Sequence, residues 1–281
     1  MTESIIVKKY SGEEVPFSRE KLDRSLERSG ASEEIIEKVY NELKGDLFDG
    51  ITTSQIYRKA FQILRKHTRS TAARYSLRKG IMELGPSGYP FEQIVGAVIQ
   101  HMGFETQVGQ IVQGHCVSHE LDVIARNGNE LFMVECKFFN SQGKNCNVQV
   151  PLYINSRFQD VKKTWEKDPV NQGLKLSGWV VTNTRFTSDA LDYGKCAGLN
   201  MISWDYPRGR SLKEMVEESG LFPITVLTSL TRKQKEILLQ HDVVLCRQLL
   251  QKPEAFGRLG LSQKMQQKVL DEAKDLCRGQ D

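Results

Sequence analysis

The sequence predicts a multidomain α+β and α/β chain of 281 residues. It has a small N-terminal unit of a short β-ribbon plus helices, a central α/β/α unit with a mixed sheet, and a small helical C-terminal unit. Three observations predict this. GPSGYP at 85–90 and SGLFPI at 219–224 concentrate Gly and Pro and divide the chain into 1–86, 87–223 and 224–281. The middle segment mixes strand and helix patterns, whereas the last shows only helical spacing. Charge is divided as well: the ends are basic, and the middle holds 13 Lys/Arg against 15 Asp/Glu. Basic ends around a slightly acidic middle suit ends that meet phosphates and a middle that holds cations.

In the first unit, SIIVKKYSGEEVPFSREKL reads as an edge strand followed by a helix start. Ser18 is the expected N-cap, and Lys21 at the third helical position rules out a capping box. Between Gly50 and Met82 there are eight Lys/Arg, one His and no acid. Ile56, Phe61, Ile63 and Leu64 give that stretch a packed face, so the opposite face is basic and suited to phosphate.

The middle unit opens with a helix from about Phe91 to Met102, apolar at Phe91, Ile94, Val95, Val98 and Met102. ELDVIAR, NGN and ELFMVECKFF then form a hairpin. WVVT at 179–182, a helix near 188–197 and NMISW at 200–204 make a crossover unit, which implies a parallel pair. The apolar strand LFMVECKFF carries Glu135 and Lys137, two residues apart and so on one face. Unpaired buried charge is costly, so these two either pair at an edge or serve chemistry. With Asn127-Gly128 as a two-residue turn, Asp122 faces Met133 and Glu120 faces Glu135. Both acids then share the face of Glu135 and Lys137, and a shift by one residue would reverse this.

These residues resemble the PD-(D/E)XK nucleases, above all the Mrr-like restriction endonucleases. The resemblance runs through GYPFEQIVGAVIQHMGFETQ, HELDVIARNGNELFMVECKFF and WVVTNTRFTSDALDYGKCAGLNMISW. It implies a restriction-endonuclease-like domain that cleaves DNA with Mg²⁺ or Mn²⁺. It further implies that Asp122 and Glu135 hold the metal, that Lys137 polarises the attacking water or the transition state, and that Glu92 adds a helix carboxylate. Gln149 and Tyr153 fit a Gln-x-x-x-Tyr element, with Pro151 between them. Many Mrr-like members carry Gln where this chain has Glu135, which makes this site more anionic. The chemistry agrees: Mg²⁺ prefers a few carboxylates and retains waters, and an ammonium beside them stabilises phosphoryl charge without ligating the ion. His115, Cys116 and His119 of GHCVSH offer zinc-type ligands without a fourth.

VKKYSGEEVPFSREKL and ARYSLRKG resemble the ends of an ATP-cone, a domain that binds ATP or dATP as an effector. Tyr10-Ser11 replaces the usual Asp before Gly12. The resemblance implies phosphate contacts from Lys8, Lys9 and Lys21, with Thr53 near the nucleotide.

The C-terminal segment reads as helices at 227–240, 243–250 and 262–276, with Ser262 capping the last. LGLS at 259–262 resembles a helix-hairpin-helix turn, and a docking or dimerisation bundle is equally compatible with the pattern. No apolar run reaches membrane-span length, the start is not signal-like, and the six cysteines are scattered, so the expectation is a cytoplasmic protein. The expected partners are DNA and a nucleoside triphosphate, with no membrane, and a homo-oligomer is compatible. The competing reading is a non-enzymatic, nucleotide-responsive DNA-binding regulator on a nuclease-like fold.

Overall fold

The computed structural model describes residues 5–141 and 143–278. The N-terminal unit begins with the hairpin β1 (Ile6–Lys8) and β2 (Glu14–Pro16), followed by α1 (Arg19–Glu27) and α2 (Glu33–Leu43). β3 (Ile51–Thr52) pairs parallel with β1 and leads into α3 (Thr53–His67), α4 (Arg69–Tyr75) and α5 (Leu77–Met82). Ser18 caps α1 by accepting from the Lys21 backbone, and no capping box forms there. A capping box between Thr52 and Gln55 does start α3, where the sequence TTSQ supplies both halves. The apolar stripe Ile56, Ala60, Ile63 and Leu64 turns α3 inward against Leu26, Val39 and Leu43.

The central unit is built on a five-stranded mixed sheet. α6 (Tyr89–His101) comes first, then β4 (Glu105–Gln113), β5 (Ser118–Arg126) and β6 (Glu130–Lys137). Next are β7 (Asn145–Cys146), α7 (Gln149–Trp165), β8 (Lys175–Thr182), β9 (Arg185–Phe186), α8 (Ser188–Cys196) and β10 (Asn200–Ile202). The sheet order is β10-β8-β6-β5-β4, parallel from β10 to β6 and antiparallel beyond. α6 starts inside the predicted linker, because Pro90 falls in its first turn, where the missing N–H costs nothing.

Two cores sandwich the sheet. Phe132, Val134 and Val181 face α6, while Leu131, Met133 and Val180 face α7. The β5–β6 register corrects the expected turn. Ile124, not Asp122, faces Met133, and Arg126 faces Leu131. The Asn127 side chain accepts from the Asn129 and Glu130 backbones, so the turn centres on Gly128-Asn129. The shift moves each partner by two residues and therefore preserves the faces. Continued one step past Val123–Val134, it sets Asp122 across from Glu135 and moves Glu120 away from it.

α9 (Leu212–Ser219) leads through a short 3-10 turn (Ile224–Val226) into α10 (Arg232–Gln240), α11 (Cys246–Gln251) and α12 (Gln263–Cys277). The first two predicted C-terminal helices begin later than expected, because Val226 and Leu227 cover α5 and Leu245 bridges back to Pro223. These helices share one continuous core with α6 and α5. Gly80 permits the approach: a Cβ there would lie 2.5 Å from Val226 Cγ1, and Thr225 Oγ1 donates to the Gly80 carbonyl at 2.7 Å. The C-terminal unit thus packs on both preceding units.

Candidate active site

The β4–β5 hairpin rolls over midway. Val123 packs on the α6 side and Leu121 on the α7 side, although residues two apart normally share a face. The roll falls at Asp122 and at its cross-strand neighbour Gly109, whose φ of +65° is the left-handed conformation that suits glycine. Beyond Val123 the β5–β6 ladder stops, and Asp122 Oδ2 takes up the Cys136 backbone N–H at 2.6 Å. The carboxylate is thereby fixed beside the end of β6.

Glu135 and Lys137 lie on that end. Glu135 is buried and Lys137 is exposed. Arg157, from the middle of α7, donates through Nη1 to Glu135 Oε2 at 2.5 Å and through Nη2 to the Glu120 carbonyl. Glu135 Oε1 and Arg157 Nε are buried and have no hydrogen-bond partner among the described residues. Burial pushes the Glu135 carboxyl up to about 8, and the charges of Asp122 and Glu92 add to the effect; the guanidinium offsets only part of it. Burial likewise raises Asp122, against the Cys136 N–H bond and the charges of Arg157 and Lys137, which lower it. Glu92, in the first turn of α6, rises to about 7 through burial and the charges of Asp122 and Glu120. These acids share too little positive charge.

The chemistry of the set fits a hard divalent cation. The donors are carboxylate oxygens, and one of them is buried without a partner. Asp122 and Glu135 are the residues that would hold it. Glu92 acts on both electrostatically but does not close a three-ligand group with them; none exists among the described residues.

Gln149 opens α7 and is exposed, and Tyr153 is 65% exposed with its ring 5.6 Å from the Arg157 guanidinium. Gln149, Tyr153 and Arg157 form an i, i+4, i+8 stripe. Pro151 is harmless because it lies in the first helical turn. Sequence reasoning missed Arg157 because it left α7 unassigned; the four-residue spacing from Tyr153 was the available signal.

The GHCVSH segment has a structural explanation. Asp160 of α7 accepts from the Cys116 backbone at 2.8 Å and the Val117 backbone at 3.3 Å, and pairs with His119 Nε2 at 2.8 Å. A Cβ on Gly114 would strike Asp160 Oδ2. The clamp pins the β4–β5 turn to α7.

In the N-terminal unit, the three expected phosphate contacts, Lys8, Lys9 and Lys21, line two adjoining cavities of about 320 and 520 Å³ together with Thr53. Lys21 borders the first with Ser18, Phe17 and Tyr75, and Lys8 borders the second with Arg78 and Lys79. Lys9, Thr53 and Tyr57 border both, and Thr53 opens α3, whose N-terminal dipole favours an anion. Tyr10, on the rim of the second cavity, touches Gly143 in the loop between β6 and α7.

Residues 5–81 match the ATP cone domain, 85–208 the restriction endonuclease domain (Mrr_cat), and 222–277 the AF1548-like C-terminal domain. An uncharacterized protein of Archaeoglobus fulgidus (strain ATCC 49558) is 35% identical over 181 residues, spanning 63% of this chain and 96% of its own length. The chain belongs to that protein's family. A crystal structure of a protein of unknown function, AF1548, is 32% identical, covers 68% of this chain and 98% of its own, and has a TM-score of 0.55. An ATP cone joined to a nuclease-like fold is therefore the architecture of this chain. Among the described residues no helix is long and apolar enough to cross a membrane.

Proposed function

We propose that the chain is a metal-dependent DNA endonuclease whose activity responds to ATP or dATP at the N-terminal unit, with working divisions at 1–86, 87–223 and 224–281. The observation that carries this reading is the arrangement of Asp122 against the end of β6, beside the buried Glu135 and the exposed Lys137. A divalent ion, when bound, supplies an activated water and neutralises phosphoryl charge. Asp122 and Glu135 would hold that ion, and Asp122 keeps its place through the Cys136 N–H. Lys137, beside Asp122, donates to the attacking oxygen and to the oxygens of the pentacoordinate phosphorus. Glu92 contributes negative charge that strengthens cation binding. Gln149 and Tyr153 stand on the solvent side of α7, where a DNA strand would pass.

The contact of the exposed Tyr10 with Gly143 supports a link from nucleotide to active site, since it joins the cavity rim to the loop that leads from Lys137 to Gln149. The experiment is cleavage of supercoiled plasmid with Mg²⁺ or Mn²⁺, with and without ATP and dATP. Nicking or linearisation that needs the metal and changes with nucleotide is expected. DNA binding without cleavage under any of these conditions would favour a non-enzymatic regulator.

A further inference from the structure

We infer that the Arg157 guanidinium is a displaceable counter-cation for Glu135, one that a divalent ion must push aside to reach the carboxylate. This rests on the metal-dependent reading above and adds a positioning residue to it.

The salt bridge is incomplete in a way that a permanent one would not be. A guanidinium and a carboxylate can pair through two parallel hydrogen bonds that use both oxygens. Here Nη1 reaches only Glu135 Oε2, at 2.5 Å. Glu135 Oε1 and Arg157 Nε remain buried without partners among the described residues. Arg157 is the cation that acts on Glu135, against burial and the like charges of Asp122 and Glu92, whereas Lys137 acts on Asp122, so the Glu135 carboxylate stays short of compensation.

Arg157 also has somewhere to go. Nη2 is already anchored on the Glu120 carbonyl, and the guanidinium lies 5.6 Å from the centre of the Tyr153 ring. Both are seats that do not involve Glu135, and an aromatic face attracts a guanidinium. Tyr153 is 65% exposed, so a released guanidinium stays at the side where a polyanion arrives. A divalent ion held by Asp122 and Glu135 would carry twice the charge of the guanidinium that it replaces.

The test is calorimetric titration of the full chain with Mg²⁺ at pH 8.5, comparing wild type, Arg157→Met, Lys137→Met and Glu135→Ala. Arg157→Met should bind Mg²⁺ about tenfold more tightly, the equivalent of one charge-assisted hydrogen bond no longer broken. Lys137→Met removes the same charge from the same site without touching the salt bridge, and should have a smaller effect. Glu135→Ala should abolish binding. Should Arg157→Met fail to fold, wild-type crystals soaked in Mn²⁺ decide the matter. An anomalous peak at Asp122 and Glu135, with Arg157 moved off Oε2, is expected.

Unchanged or weaker Mg²⁺ binding in Arg157→Met, an equal gain in Lys137→Met, or a Mn²⁺ peak with the Nη1–Oε2 contact intact would overturn the displacement. Each of those outcomes leaves the metal site standing. A wild type that takes up neither Mg²⁺ nor Mn²⁺ would overturn the displacement and the metal-dependent reading together.

Discussion

Asp122 Oδ2 accepts the backbone N–H of Cys136 at 2.6 Å, at the point where the β5–β6 ladder ends. One carboxylate therefore performs a structural task and is placed for a chemical one. Asp122→Asn separates the two. The amide oxygen can still accept from Cys136, so the melting temperature should stay close to that of wild type. Metal affinity and cleavage should fall, because the charge is gone. Asp122→Ala should cost in addition about 1–3 kcal/mol for the unsatisfied N–H. Circular-dichroism melts beside Mg²⁺ titrations check both variants.

The Asp160 clamp makes a pH-dependent contribution. His119, together with the thiol and backbone of Cys116, holds the Asp160 carboxyl well below the usual carboxylate range. A depressed native pKa gives stability that is present above the unfolded value and is lost as pH falls through the native one. Asp160→Asn should therefore melt below wild type at pH 7, and the gap should begin to narrow as pH drops below about 4. Differential scanning fluorimetry across pH 3–8 reads the gap directly; a gap that widens in acid would contradict this role.

Lys21 borders the smaller nucleotide-sized cavity at the start of α1. Lys21→Ala should weaken triphosphate binding by roughly 10- to 150-fold, the worth of one charge-assisted phosphate contact. Isothermal titration with ATP and dATP in Mg²⁺ buffer measures it. No heat from wild type with either nucleotide would remove the effector role and reassign the basic face of residues 50–82 to DNA, where binding should weaken steeply with salt.

Much of this arrangement was legible in the sequence, for identifiable reasons. Glu135 and Lys137 stood out because charge inside an apolar strand needs an explanation. Asp122 fell on the correct face because the true turn, at Gly128-Asn129, moves the register by two residues rather than one. The roll at Gly109 was not readable, since it depends on which helix covers each half of the hairpin. α7 was hidden by Pro151 and by a sequence that is polar on most of its surface, and Arg157 and Asp160 went unseen with it. The C-terminal helices showed their apolar faces but not their partner. Helical spacing says that a face is buried, not that α5 and α6 bury it.

The central claim is that Asp122, Glu135 and Lys137 form one metal-dependent phosphodiester-cleaving site. It is tested most directly by supercoiled-plasmid cleavage in saturating Mg²⁺ by wild type and Lys137→Ala side by side. Lys137 is exposed at the end of its strand, so its removal should leave the fold and metal binding nearly intact. The account predicts metal-dependent nicking by wild type and a loss of about a hundredfold or more in Lys137→Ala, the scale of removing one donor that stabilises the transition state. Equal cleavage rates for the two proteins would contradict it.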